Sequence, residues 1–97
     1  APVGCDVERI APMDDGVLKA SLTDAERAHL AALSGEARDR AFVRLWVRKE
    51  SYAKAVGRGM AVGLSTFSAL EDAPSGWTWR DFDFGDGYLG CVCTPAP

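Results

Sequence analysis

Two short segments constrain this chain most: an acidic strand near its start and a lysine-bracketed glutamate in mid-chain. In Gly4-Cys5-Asp6-Val7-Glu8 the pattern has period two, so Val3, Cys5 and Val7 point one way and Asp6 and Glu8 the other. Residues 36–56 carry a different period. Phe42, Leu45, Trp46, Ala53 and Val56 share one arc at about 100° per residue, which predicts a long amphipathic helix. Gly57 and Gly59 stop that helix, with Gly57 suited to the C′ position. A strand needs neighbours and an apolar helical arc needs a surface to cover, so both must belong to one packed α+β unit.

Lys49 falls inside the apolar arc. Burying an unpaired ammonium is expensive, so this lysine either snorkels to solvent or serves a ligand. Glu50 and Lys54 are one turn apart on the border of the arc. Their plainest reading is a surface ion pair worth a few tenths of a kcal/mol. Arg40, Arg44 and Arg48 form a separate stripe at the same spacing, read as a solvated face in preference to a dock for an acidic protein.

The remaining elements follow from local signals. Ala11 to Ala20 reads as a loop, with Pro12 and Asp14-Asp15-Gly16 as turn residues. Thr23 and Glu26 form a capping box that opens a helix over 24–33, ended by Ser34-Gly35. Leu64 to Leu70 alternates like a strand. Trp77 to Phe84 and Tyr88 to Thr94 read as strands joined by a hairpin turn at Gly85-Asp86-Gly87, with Trp77 and Trp79 packing on the long helix. The expected fold is α+β, a small and mostly antiparallel sheet packed against one long helix plus a shorter one, in a single domain spanning 1–97.

Composition narrows the function. The chain has 97 residues and a net charge of −3, which argues against general affinity for nucleic acid. An acidic chain must gather positive charge locally to hold an anion. Two of its three lysines flank Glu50, so the first place to look for a phosphate contact is there. There is no Asn or Gln, leaving charged groups, hydroxyls and backbone for site chemistry. Three cysteines without a visible secretory signal argue against a disulfide framework and for a reducing, cytoplasmic setting. Cys91-Val92-Cys93 lacks the further ligands of a zinc site and reads as two buried thiols; His29 is the one histidine and is given no role. No apolar run approaches the ~20 residues of a membrane span.

Asp6 and Glu8 on a strand, with Glu50 on a helix beside it, offer the oxygen ligands a hard dication such as Mg²⁺ prefers. Lys49 and Lys54 offer the positive charge that phosphates need.

At this point the chain resembles the 4′-phosphopantetheinyl transferases, and in particular the carboxy-terminal half of their larger, surfactin-synthetase-activating type. The resemblance rests on Gly4-Cys5-Asp6-Val7-Glu8 and on Trp46-x-x-Lys49-Glu50-Ser51-x-x-Lys54 followed by Gly57-x-Gly59. Leu22-Thr23 with Glu26, Arg38-x-x-x-Phe42 and the late aromatic strand with its Gly-Tyr turn agree with it. It implies Mg²⁺-dependent transfer of the phosphopantetheine arm of coenzyme A to a serine of an acyl or peptidyl carrier protein. It implies Asp6, Glu8 and Glu50 as metal ligands. Glu50 and Lys54 would be catalytic, with Lys54 on the phosphate and Lys49 assisting it. Trp46 would be a packing residue. The larger type is a tandem of two similar halves with the site between them, so the resemblance implies a missing amino-terminal half, to be replaced by pairing or self-association. The alternative is a non-catalytic binding or assembly module of the same fold with an incomplete coenzyme A site.

Overall fold

The computed structural model describes residues 2–57 and 63–97. Gly59, named above as a helix stop, lies outside the described residues. The order is strand β1 (Gly4–Arg9), helices α1 (Asp15–Ser21), α2 (Asp24–Ala31) and α3 (Gly35–Val56), a 3₁₀ turn (Leu64–Thr66), and strands β2 (Trp77–Gly85) and β3 (Tyr88–Pro95). The sheet is antiparallel throughout, in the order β1-β3-β2. The first strand therefore closes on the last, with Asp6 opposite Cys91 and Glu8 opposite Leu89.

Helix α3 is the centre of the molecule. Phe42, Val43, Leu45, Val47, Lys49, Ser51, Ala53 and Ala55 are all buried, so more than one face is covered. Such a helix sits between layers. One side meets the sheet, where Gly4 of β1 lies against Ser51 and Ala55. Another side meets α1, α2 and the segment after the 3₁₀ turn, where Leu18, Leu22, Leu30 and Ala69 complete the core. The helix ends where expected, at Gly57 with φ 73°, whose amide caps Ala53 and Lys54 carbonyls.

Three expectations need correction. Ala11–Ala20 is not all loop. Asp14 accepts a hydrogen bond from the Val17 amide at 2.9 Å and acts as the N-cap of α1, so a turn signal was in fact a helix start. Leu64–Leu70 is not a strand. Its backbone groups find side-chain partners instead, with Leu64 O and Phe67 O accepting from Lys49 and Ala69 N donating to Glu26. The arginine stripe is not simply solvated. Arg40 pairs with Asp83. Arg48 grips Asp81 at 3.0 and 2.5 Å, and Arg44 reaches Asp81 at 4.0 Å. Four residues of helix rise about 6 Å and two residues of strand about 6.7 Å, which matches Arg40 and Arg44 to Asp83 and Asp81, while Arg48, one turn further on, reaches back to the same Asp81. The stripe bolts α3 to β2. The helix after Thr23 keeps its capping box and ends at Ala31, two residues early.

The two tryptophans of β2 do pack on α3. Trp77 meets Tyr52 edge-on at 5.9 Å, and Trp79 lies under the Arg48 guanidinium at 5.9 Å. All three cysteines are free, and burial pushes the thiols of Cys91 and Cys93 up to about 11. No helix among the described residues is long and apolar enough to cross a membrane.

Candidate active site

The two faces of β1 separate as the alternation predicts, but the solvated side is the other one. Asp6 is buried and Glu8 half-buried, turned towards α3, while Val3 and Val7 are more than half exposed. An acidic strand face turned inward has to be met by something, and α3 meets it with Glu50 and Lys54.

Glycine makes this approach possible. Gly4 has no side chain where β1 crosses α3, and α3 presents small Ser51 and Ala55 at the crossing. The strand can therefore settle on the helix backbone, which sets Asp6, two residues on, beside the next helical face.

Lys54 donates to Asp6 Oδ1 at 2.8 Å and to Cys5 O at 3.1 Å. The ion pair is thus between elements; the plain reading of Glu50–Lys54 as an i, i+4 pair is not the arrangement adopted. The hydrogen bond to Asp6 holds the Lys54 ammonium above its ordinary range, with the charges of Asp6 and Glu50 adding to it and partial burial opposing. Half of the Lys54 side chain remains exposed.

Asp6 Oδ2 is buried and has no hydrogen-bond partner. A buried carboxylate oxygen left so is unusual and can take a hydrogen-bond donor, a water or a cation. Its neighbours are acids. Burial raises the Glu8 carboxyl above its usual range, the adjoining Asp6 adds to that, and Trp46 and Lys54 work against it. Burial also raises Glu50, with the Asp6 charge adding to it and Lys54 offsetting part. Three carboxylates on two elements therefore bear on one another around Asp6. Among the described residues no three His, Cys, Asp or Glu side chains are placed so as to hold a metal ion together. The donor set, all carboxylate oxygens with one unpaired, fits a hard divalent cation and not a soft one.

Beside these groups opens a cleft of about 540 Å³. Glu50 and Lys54 form its polar end, and Val17, Ala20, Trp46 and Leu64 its apolar walls.

Lys49 belongs elsewhere, and its assignment to the phosphate is corrected. It is fully buried and donates to Glu26 Oε1 at 2.5 Å, Leu64 O at 2.7 Å, Phe67 O at 2.8 Å and Ser21 O at 3.0 Å. Burial pulls the ammonium down and Glu26 pushes it back. Glu26, missed from the sequence as anything beyond a helix cap, is this lysine's counter-ion. The one signal in the sequence was the lysine itself, since an ammonium inside an apolar arc needs a partner if it does not snorkel; the capping-box spacing does not tell that Glu26 is buried. Trp46, expected to be a packing residue, also touches the site through Glu8 and the cleft.

A model of the 4′-phosphopantetheinyl transferase superfamily matches residues 2–93. This chain belongs to the 4′-phosphopantetheinyl transferase superfamily. It is 30% identical to the 4′-phosphopantetheinyl transferase psf-1 of Bacillus pumilus over 108 residues, covering all of this chain and 46% of that protein. It is 27% identical to the 4′-phosphopantetheinyl transferase Sfp of Bacillus subtilis (strain 168), covering 99% of this chain and 48% of that protein. The chain thus spans about half the length of these relatives. Among solved structures, the holo-[acyl-carrier-protein] synthase of Thermotoga maritima superposes with a TM-score of 0.61 over 95% of this chain and 61% of that one. At 16% identity that likeness shows the fold, and the superfamily's α+β half-unit is the fold found here.

Proposed function

We propose that this chain supplies the metal- and phosphate-binding part of a site that moves the 4′-phosphopantetheine arm of coenzyme A onto a serine hydroxyl of a carrier protein. The observation that carries this reading is the unpartnered, buried Oδ2 of Asp6 among Glu8, Glu50 and Lys54. Asp6, Glu8 and Glu50 are the residues to hold Mg²⁺, which would supply charge neutralisation for the pyrophosphate. Lys54, half exposed, can turn from Asp6 to a phosphate oxygen and stabilise charge developing there. Glu50, with its raised proton affinity, is the residue to accept the serine proton, directly or through a water. In the transfer the serine oxygen bonds to the phosphorus of the arm, the pyrophosphate P–O bond breaks, and adenosine 3′,5′-bisphosphate leaves. The apolar cleft suits the pantetheine arm, and its size is that of an ordinary small-molecule site.

The outer face of the sheet supports a second element of the proposal. Val7, Phe84 and Tyr88 are exposed there, at 53%, 57% and 43%. Exposed apolar groups on one face mark an interaction surface. The occupant we propose is a second unit of the same fold, corresponding to the rest of the relatives' length.

A second reading, a non-catalytic binding or assembly module, draws on one fact: this chain covers 46–48% of the relatives named. Mass spectrometry of an apo carrier protein incubated with this chain, coenzyme A and Mg²⁺ separates the two. A gain equal to phosphopantetheine, abolished by EDTA, is expected for the transferase. No gain, even with a partner half from a relative added, would leave the module.

A further inference from the structure

Lys49 follows the helix one residue before Glu50 yet lies about 100° away around it, behind the cleft and not in it. Its ammonium has three protons and four acceptors within 3.0 Å, one of them shared. Two of these acceptors belong to residues that line the cleft: Ser21 ends α1, Leu64 opens the 3₁₀ turn, and both border the space that Glu50 and Lys54 face. Glu26 completes the device. Its Oε1 also accepts from Thr23 N at 2.7 Å, and its Oε2 accepts from Ala69 N at 2.6 Å.

We propose that Lys49 is a positioning residue: with Glu26 it ties the end of α1 and the 3₁₀ turn, both of which line the cleft, to α3 and so fixes the shape of the space beside Glu50 and Lys54. A buried ion pair whose only task was stability would be replaceable by an apolar pair of similar volume. This one also satisfies three carbonyls and two amides that an apolar pair would leave unpaired. The part concerning coenzyme A rests on the function proposed above.

The test uses Glu26→Gln, which keeps shape and most hydrogen bonds while removing the charge, and the double variant Lys49→Met with Glu26→Leu, which replaces the pair by apolar groups. Hydrogen exchange is read at residues 17–22 and 63–70, and coenzyme A affinity by calorimetry with Mg²⁺, well below the melting temperature. The expected result for Glu26→Gln is faster exchange confined to those two segments and affinity weakened about tenfold. In the double variant the carbonyls and amides left unpaired keep exchange in the two segments fast and affinity low, and the melting temperature does not recover. Unchanged exchange in the two segments, or affinity that recovers together with melting temperature, overturns the proposal. If the unaltered chain fails to bind coenzyme A even with a relative's other half added, the transferase reading falls, and the role of Lys49 is judged by the exchange pattern, which confirms or refutes it independently.

Discussion

A Cβ on Gly4 would sit 1.9 Å from the carbonyl oxygen of Ser51 and 2.4 Å from the amide nitrogen of Ala55. Both atoms are helix backbone and neither can step aside. Gly4→Ala must therefore lift β1 from α3, and Asp6 moves with the strand. Urea unfolding should show a loss of about 3 kcal/mol, the upper part of the usual overpacking range. Coenzyme A binding, measured in the fraction that remains folded, should weaken as well. Full stability in the variant would show that β1 does not press on the helix.

Glu50 and Lys54 should separate binding from folding. Glu50→Gln keeps the shape of a half-buried side chain, so its unfolding midpoint should change little while carrier-protein transfer is abolished. Lys54→Met removes the partner of Asp6 Oδ1 and should weaken coenzyme A binding about tenfold or more, as loss of a charged hydrogen bond does. A Glu50→Gln protein that unfolds would make Glu50 a structural residue.

The Arg48–Asp81 clasp gives a pH dependence. Burial would raise the Asp81 carboxyl, but the hydrogen bonds and charge of Arg48 outweigh it and hold the group below its ordinary 3.8. An acid depressed in the folded state stabilises above its unfolded value and loses that contribution as pH falls through the folded one. The clasp should thus be at full strength above about pH 4–5 and fade below 3.8. Arg48→Ala should cost about 1–2 kcal/mol at neutral pH, because the pair is bidentate and partly shielded, and the difference from the unaltered chain should shrink in acid. Thermal melts at pH 3 and pH 7 check this. An equal loss at both would place the stabilisation in the hydrogen bond to the Ala69 carbonyl and the packing on Trp79.

The outer sheet face should govern assembly. The Phe84 ring lies over Gly90, so Phe84→Ser removes exposed apolar area without opening the core. Light scattering on the chain mixed with a relative's other half should show a complex that Phe84→Ser and Val7→Ser weaken. A complex unaffected by both would move the interface elsewhere; self-association of the unaltered chain would make a second copy the occupant.

Much of this architecture was legible because local chemistry and tertiary structure agreed. The Thr23–Glu26 capping box, the Gly57 cap, the Gly85-Asp86-Gly87 turn and the long helix stand where their residues indicate. The misreadings share a cause. Period two in Leu64–Leu70 follows neither strand pairing nor burial: Ser65 and Thr66 are both exposed while 67–70 are all at least partly buried, and Lys49 and Glu26 take the place of a neighbouring strand. The arginine stripe looked solvated because its aspartate partners lie more than 30 residues away on a strand. The direction in which β1 faces was also hidden. Alternation separates Asp6 and Glu8 from Val3 and Val7 but cannot say which face is inside, and the acids turned inward. The motif spacing named Asp6, Glu8, Glu50 and Lys54, and the fold sets these four side chains near one another. The spacing could not distinguish the lysine that faces the cleft from the one buried behind it.

The central claim is that Asp6, Glu8 and Glu50 form a divalent-cation site, and Mn²⁺ tests it most directly. Electron paramagnetic resonance reads free Mn²⁺, so binding appears as loss of that signal. With coenzyme A present, the unaltered chain should remove the free signal beyond what coenzyme A removes by itself, and Asp6→Asn, folded by circular dichroism, should not. Equal Mn²⁺ uptake by the two proteins would contradict the account.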